Sequence, residues 1–334
     1  MNNIFFWHQL RIHRTWQFKV PLLMCFPYLA AFVCGMHAHI FFQAVALSFV
    51  TIIGFAGFAY SLNDLGDIAV DQKANKENAV QHLGRMKTIL LILFCLVLTL
   101  APWYFLPHSN FSIFLLFFEL LFFYLYAMKP FRLKERGVAG LLCDALYAHA
   151  LPAVLAFYTF ICYNKDGISF FPYILPSIFL WQLLCGLRNI VFHQMNDYQY
   201  DKAAEVKTWV SKNGMAKAEF IVKGLLILEL MAFFLFLLLL TNLYHVYILF
   251  PAYLLYLIYT LVKYRKALSG LPLNDIKFIF LDQFYLHWLP LLILAWLVQI
   301  ESFYLLMFII HFVLFQNALK PWLNYQLKYF KKSV

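Results

Sequence analysis

The sequence predicts an all-α polytopic membrane protein, and three observations carry that prediction: the composition, the recurrence of long apolar runs, and the placement of the basic residues. Of 334 residues, 64% are hydrophobic and 13% charged, whereas an ordinary soluble domain is about 45–50% apolar and about 25% charged. The 38 Phe and 21 Tyr suit lipid-facing surfaces and interfacial belts.

Residues 1–18 mix aromatics with Arg11 and Arg14. They lack the apolar core and small-residue cleavage site of a signal peptide, and read as an interfacial amphipathic helix leading into the first span. A span needs about 17–25 mostly apolar residues. The runs that qualify are about 20–36, 40–61, 88–106, 111–128, 138–161, 170–190, 219–241, 244–262, 284–300 and 303–319, the last two being short. Of the 26 Lys and Arg, only Lys165 falls in a loop on the opposite side from the rest. The positive-inside rule makes the basic face cytoplasmic, and a basic C-terminus then favours an even number of spans, hence ten. The formal charge of +10 therefore encodes topology and calls for no nucleic-acid partner. The six cysteines are scattered through apolar segments without paired spacing, as expected of buried free thiols.

The second run ends in NDLGDIAVD, residues 63–71, which brings Asp64, Asp67 and Asp71 onto one helix face at i, i+3 and i+7. The sixth ends in HQMNDYQYD, residues 193–201, with Asp197 and Asp201 at i and i+4. Set at an offset of 130, residues 63–80 and 193–210 match at Asp67/Asp197, Asp71/Asp201, Ala74/Ala204 and Val80/Val210. Each segment follows a span and precedes a polar loop and another span, the pattern of an internal repeat. Four spans separate the two ends, so both emerge on the cytoplasmic side. Five carboxylates at membrane depth would cost on the order of 12–18 kcal/mol. They must line a wet cavity and need a cation to offset their repulsion. Carboxylate oxygens without His or Cys suit a hard divalent ion, and Mg²⁺ favours a few carboxylates completed by substrate phosphates. The bland alternative is a pair of solvated helix ends, disfavoured because two such clusters share one side.

On these motifs the chain resembles the UbiA superfamily of intramembrane prenyltransferases: NDLGDIAVD fits its NDxxDxxxD, DYQYD fits its DxxxD, and MKPFRLKER, residues 128–136, resembles its basic loop between the fourth and fifth helices. The resemblance implies one transmembrane domain over residues 1–334, a bundle of nine to ten helices around a central cavity. It also implies Mg²⁺-dependent transfer of an isoprenyl group from a polyprenyl diphosphate to a lipid-soluble or amphipathic, aromatic or quinone-like acceptor. By position, Asn63, Asp64, Asp67 and Asp71 would hold one metal–diphosphate group and Asp197 and Asp201 the other. The basic tail of the first motif departs from the family, with Lys73 and Lys76 in place of arginine's bidentate fork.

A departing diphosphate needs its developing charge neutralised by metal and by basic side chains. Lys73, Lys76, Lys129, Arg132 and Arg188 are the candidates, against the alternative that each only encodes topology. The allylic cation left behind would be stabilised by π faces, for which Phe58, Tyr60, Phe192, Tyr198 and Tyr200 flank the motifs, with plain packing as the alternative. Asp144, inside the fifth run, either orients an acceptor or acts as a base, or else pairs with a bundle arginine. Glu119 and Glu229 are isolated in apolar runs and are expected to be satisfied within the bundle. The same carboxylates and metal would serve a membrane terpene cyclase of the UbiA type, and an acidic cavity would serve a non-enzymatic transporter. The setting expected is the cytoplasmic membrane of a bacterium, with the active site facing the cytoplasm and membrane lipids as the surroundings.

Overall fold

The computed structural model describes residues 12–73, 77–163, 171–244, 246–265 and 272–320, with 323, 324 and 327. Residues 1–11 of the expected interfacial helix, and Lys76, lie outside them. Helix is the regular structure of the described residues, with no strand among them. In order they are α1 (Ile12–Cys34), α2 (Ala38–Lys73), α3 (Arg85–Tyr104), α4 (Asn110–Ala127), α5 (Val138–Ile161), α6 (Phe171–Asn196), α7 (Tyr198–Ala203), α8 (Trp209–Asn213), α9 (Met215–Tyr244), α10 (Leu249–Tyr264), α11 (Leu273–Ile300) and α12 (Tyr304–Phe315). Each of the ten apolar runs coincides with a helix. Seven helices are long and apolar enough to cross a membrane, while the apolar parts of α1, α10 and α12 are shorter. The six cysteines form no disulfide, and all but Cys162 are buried.

The outward faces explain the sequence's greasiness. Leu90, Leu93, Phe94 and Val97 of α3, and Leu255, Ile258 and Val262 of α10, are exposed at helical spacing. In a membrane those rows meet lipid. Inside, rings interlock: Trp181 of α6 packs on Phe233 and Phe236 of α9 and on Tyr285 of α11, with centroids 4.7, 4.9 and 5.1 Å apart.

Close backbone approaches set the helix pairs around the centre, as small residues permit in a membrane. An ideal Cβ on Gly54 of α2 would fall 2.4 Å from the Thr99 amide nitrogen of α3, and one on Gly66 would fall 2.6 Å from the Ala127 carbonyl oxygen of α4. Because the opposing atoms are backbone, no rotamer change relieves the clash. Gly54→Val is expected to destabilise the protein by about 1–3 kcal/mol, read as a lowered melting temperature in detergent; an unchanged midpoint would contradict the α2–α3 contact.

Where the acidic stretches are concerned, the two halves of the chain differ. Helix α2 does not end at its apolar run but continues unbroken for 36 residues, about 54 Å, carrying Asp64, Asp67 and Asp71 on its last turns. Helix α6 stops at Asn196, and Asp197 (φ −87°, ψ 0°) forms the joint to α7. The Asp201 amide still donates to the Asp197 carbonyl at 2.8 Å, so these two carboxylates keep their i, i+4 relation.

Candidate active site at the shared end of the bundle

The loop after each acidic stretch folds back onto it through one polar side chain. Asn78 Oδ1 accepts from the Val80 amide and so closes a turn, while its Nδ2 donates to Asp71 Oδ2 at 2.7 Å and to the Asp64 carbonyl at 2.8 Å. Thr208 caps α8 by accepting from the Ser211 amide, and its hydroxyl donates to Asp201 Oδ2 at 2.8 Å. Asn78 and Thr208 differ by the same 130 positions as the aspartates they hold. So do Gly84 and Gly214, which open α3 and α9 at φ 76° and 85°, values that favour glycine.

The two ends meet. Lys73 Nζ, just beyond the first stretch, lies 2.8 Å from Glu205 Oε2, just beyond the second, and holds that exposed carboxyl below its usual range through the hydrogen bond. Behind this bridge opens a cavity of about 830 Å³, whose walls include Asn63, Asp64, Asp67, Asp71, Asp144, Asp197 and Asp201. The rest of the lining is largely apolar and aromatic, with Phe55, Phe123, Tyr126 and Tyr147 among it.

The basic residues at the cavity are not those expected. Lys134 lines it: its ammonium donates to both oxygens of Asp67 and, at 3.2 Å, to Asn63 Oδ1. Burial pulls the Lys134 ammonium below the usual lysine range, against the raising effect of Asp67. Lys19 and Lys277 line the cavity as well. Arg132 is buried behind this layer, donating to Asp67 Oδ1 and the Gly66 carbonyl, each at 2.8 Å, and to Glu135. It orients Asp67 rather than facing the cavity. Burial opposes its charge, but Glu135 and Asp67 more than compensate, and the guanidinium titrates above the usual arginine value.

Arg188 is the clearest correction. It is fully buried, donating to both oxygens of Glu229 on α9 and to Asp282 Oδ1 on α11 at 3.0 Å. A guanidinium so engaged is part of the bundle's frame, not a phosphate clamp. Lys129 is exposed and away from the cavity lining, and Lys73 is held by Glu205 outside it. Tyr198 packs against the cluster of Ile190, Val191 and Phe192, under the Lys202 ammonium at 4.7 Å, because the joint at Asp197 turns it off the cavity. Phe58, Phe192 and Tyr200 are likewise absent from the lining, whereas Tyr60 is in it. Among the described residues Asp144 is paired with no arginine; Tyr147 donates to its Oδ2 at 2.6 Å. Glu229 is satisfied as expected; Glu119 is not, its Oε2 having no hydrogen-bond partner among the described residues.

The donor set admits a hard cation of one kind. Among the described residues no three His, Cys, Asp or Glu side chains stand close enough to cage an ion. Such a set suits Mg²⁺, which commonly takes one or two carboxylates and lets phosphate oxygens and water complete its octahedron. The oxygen ligands oriented by Asn78 and Thr208 meet that requirement from two walls of one cavity.

Comparison with known proteins bears on the same region. The family model described as the UbiA prenyltransferase family matches residues 24–271. Three solved structures of a UbiA homolog from Archaeoglobus fulgidus share the fold. The one bound to DMAPP and Mg²⁺ is 20% identical, with a TM-score of 0.60 over 89% of this chain and 99% of that one. The one bound to GPP and Mg²⁺ is 19% identical, with a TM-score of 0.59 over the same shares. The third, whose description names no ligand, is 20% identical, with a TM-score of 0.54 over 93% and 99%. No curated protein matches the chain at a significant level.

Proposed function

Since the chain belongs to the UbiA prenyltransferase family, we propose that it transfers an isoprenyl group from a polyprenyl diphosphate to a membrane-accessible aromatic or quinone-precursor acceptor, with Mg²⁺ as cofactor and release of diphosphate. The observation that supports this most is the shared cavity: two acidic stretches 130 residues apart line one chamber whose remaining walls are mostly apolar. The homolog structures bound to DMAPP or GPP with Mg²⁺ agree with it.

In this reading Asn63, Asp64, Asp67 and Asp71 would hold one Mg²⁺–phosphate group and Asp197 and Asp201 the other. When bound, Mg²⁺ withdraws negative charge from the diphosphate and eases its departure from the allylic carbon. Asn78 and Thr208 keep Asp71 and Asp201 aimed. Lys134 stands at the first stretch with an ammonium free to pass from Asp67 to a phosphate oxygen, and Lys277 and Lys19 supply further positive charge. The rings of Tyr60, Phe123, Tyr126 and Tyr147 face the space where the allylic cation would form. The surrounding apolar wall keeps water from it. Asp144, oriented by Tyr147, is placed to accept a hydrogen bond or proton from an acceptor. The positive-inside pattern supports a cytoplasmic setting for this end of the bundle, in the cytoplasmic membrane of a bacterium. The matched geometry at offset 130 supports a duplication behind the two halves.

Purified protein given labelled geranyl diphosphate and Mg²⁺ should release diphosphate, and chelation by EDTA should stop it. A prenylated acceptor establishes the transferase. A cyclic product formed without acceptor would make the protein a cyclase, and no release under any condition would leave a transporter. Lys134→Ala is expected to lower turnover about 100-fold, the scale for one preorganised donor to developing charge; wild-type turnover in that variant would remove Lys134 from the site.

A further inference from the structure

Of the buried cavity-wall side chains with a polar atom that has no hydrogen-bond partner among the described residues, four lie outside α6 and the acidic stretches. They are Thr51 Oγ1 of α2, Trp103 Nε1 of α3, Glu119 Oε2 of α4 and Tyr285 Oη of α11. Their residues are 7%, 7%, 2% and 1% exposed. Buried polar groups in folded proteins are overwhelmingly hydrogen-bonded, and in a membrane interior there is no bulk water to serve instead. A plain isoprenyl chain could satisfy none of them.

Glu119 is the most demanding of the four. It is in the middle of α4, in the run FLLFFELLFF, with no ion-pair partner among the described residues. Eight residues of helix, about 12 Å, separate it from Ala127, whose carbonyl touches the motif helix at Gly66. It therefore lines the chamber well inside the acidic mouth, beyond the reach of a diphosphate held there. The same wall carries Phe55, Phe123 and Trp103, so the space beside it is flat-ring in character with isolated hydrogen-bonding points.

We propose that Glu119 is the specificity-determining residue of an acceptor subsite inside the membrane, where it hydrogen-bonds a hydroxyl or carbonyl oxygen of an otherwise apolar, ring-bearing acceptor. This rests on the transferase reading for the word acceptor, but not for the subsite itself. Sites built to hydrogen-bond a hydroxyl discriminate strongly against the analogue that lacks it, because the protein group is then left unpaired.

The test is equilibrium binding of labelled 2-naphthol and of labelled naphthalene to the purified full-length protein, each corrected with a micelle blank. The wild type should prefer 2-naphthol by about tenfold or more, within the range such sites achieve. Glu119→Leu should bring the two ligands within about twofold of each other, and Glu119→Gln, which still hydrogen-bonds, should keep most of the preference. Preference undiminished in Glu119→Leu would overturn the proposal. So would a wild type that does not distinguish the two ligands, since the unpartnered atoms would then meet water only. Diphosphate release from geranyl diphosphate by the wild type, measured in the same preparation, reports separately on the transferase reading. If release is absent while Glu119→Leu still loses the naphthol preference, the subsite stands and the assigned reaction falls.

Discussion

Asp197→Asn is expected to reduce Mg²⁺-dependent diphosphate release by about a thousandfold or more while the protein still inserts and purifies. The size follows from removing a carboxylate that would neutralise a leaving diphosphate through metal, where electrostatic stabilisation contributes most. The selectivity follows from its surroundings. The Asp197 side chain is 27% exposed and its neighbour His193, 3.9 Å away, is 67% exposed, so water reaches the site of the substitution. Asp67 makes the instructive contrast. Its carboxylate sits between Arg132 and Lys134, whose side chains are 8% and 10% exposed. Asp67→Asn should therefore lose activity and, in addition, about 3–5 kcal/mol of stability, the usual cost of breaking a buried pair from one side. Melting temperatures and diphosphate release measured on both variants decide this. Retained turnover in Asp197→Asn would remove the second acidic stretch from the chemistry.

Arg188→Met is expected to have the largest structural effect. The guanidinium and the Glu229 carboxylate are both wholly inaccessible, and Asp282 joins them from the cavity side. Without Arg188, Asp282 keeps Lys277 at 3.2 Å, but Glu229 is left as a lone carboxylate between apolar helices. A loss of about 3–5 kcal/mol follows, seen as aggregation on extraction or a large fall in melting temperature. Replacing both partners, Arg188→Met with Glu229→Leu, should recover much of it, because an apolar pair of similar volume needs no counter-charge. A single variant that melts like the wild type would refute the network.

The transmembrane architecture was legible because hydropathy and charge bias act locally along the chain: every apolar run has its helix. The five aspartates were legible for a related reason, since carboxylates are costly in such surroundings and their spacing reports a shared face. The basic residues were not. Nothing local separates Lys134 from Lys129, Arg132 or Arg136 in a loop where all serve topology equally. Arg188 became structural only through Glu229, 41 residues on, and Asp282, 94 residues on, pairings that exist only once the helices pack. One signal was present and passed over. The offset of 130 also aligns Asn78 with Thr208, a pair invisible to an identity count but matched as polar side chains that orient a carboxylate.

The unbroken α2 and the jointed α6–α7 make the two sides of the chamber mechanically unequal. One continuous rod carries Thr51 in the inner wall and Asp71 near the rim, so any tilt that widens the entrance also reshapes the interior. The opposite rim changes course at the single residue Asp197 and is held by Thr208 and by the packing of Tyr198. A displacement of α7 would therefore stay local to the rim, whereas one of α2 would reach the whole chamber.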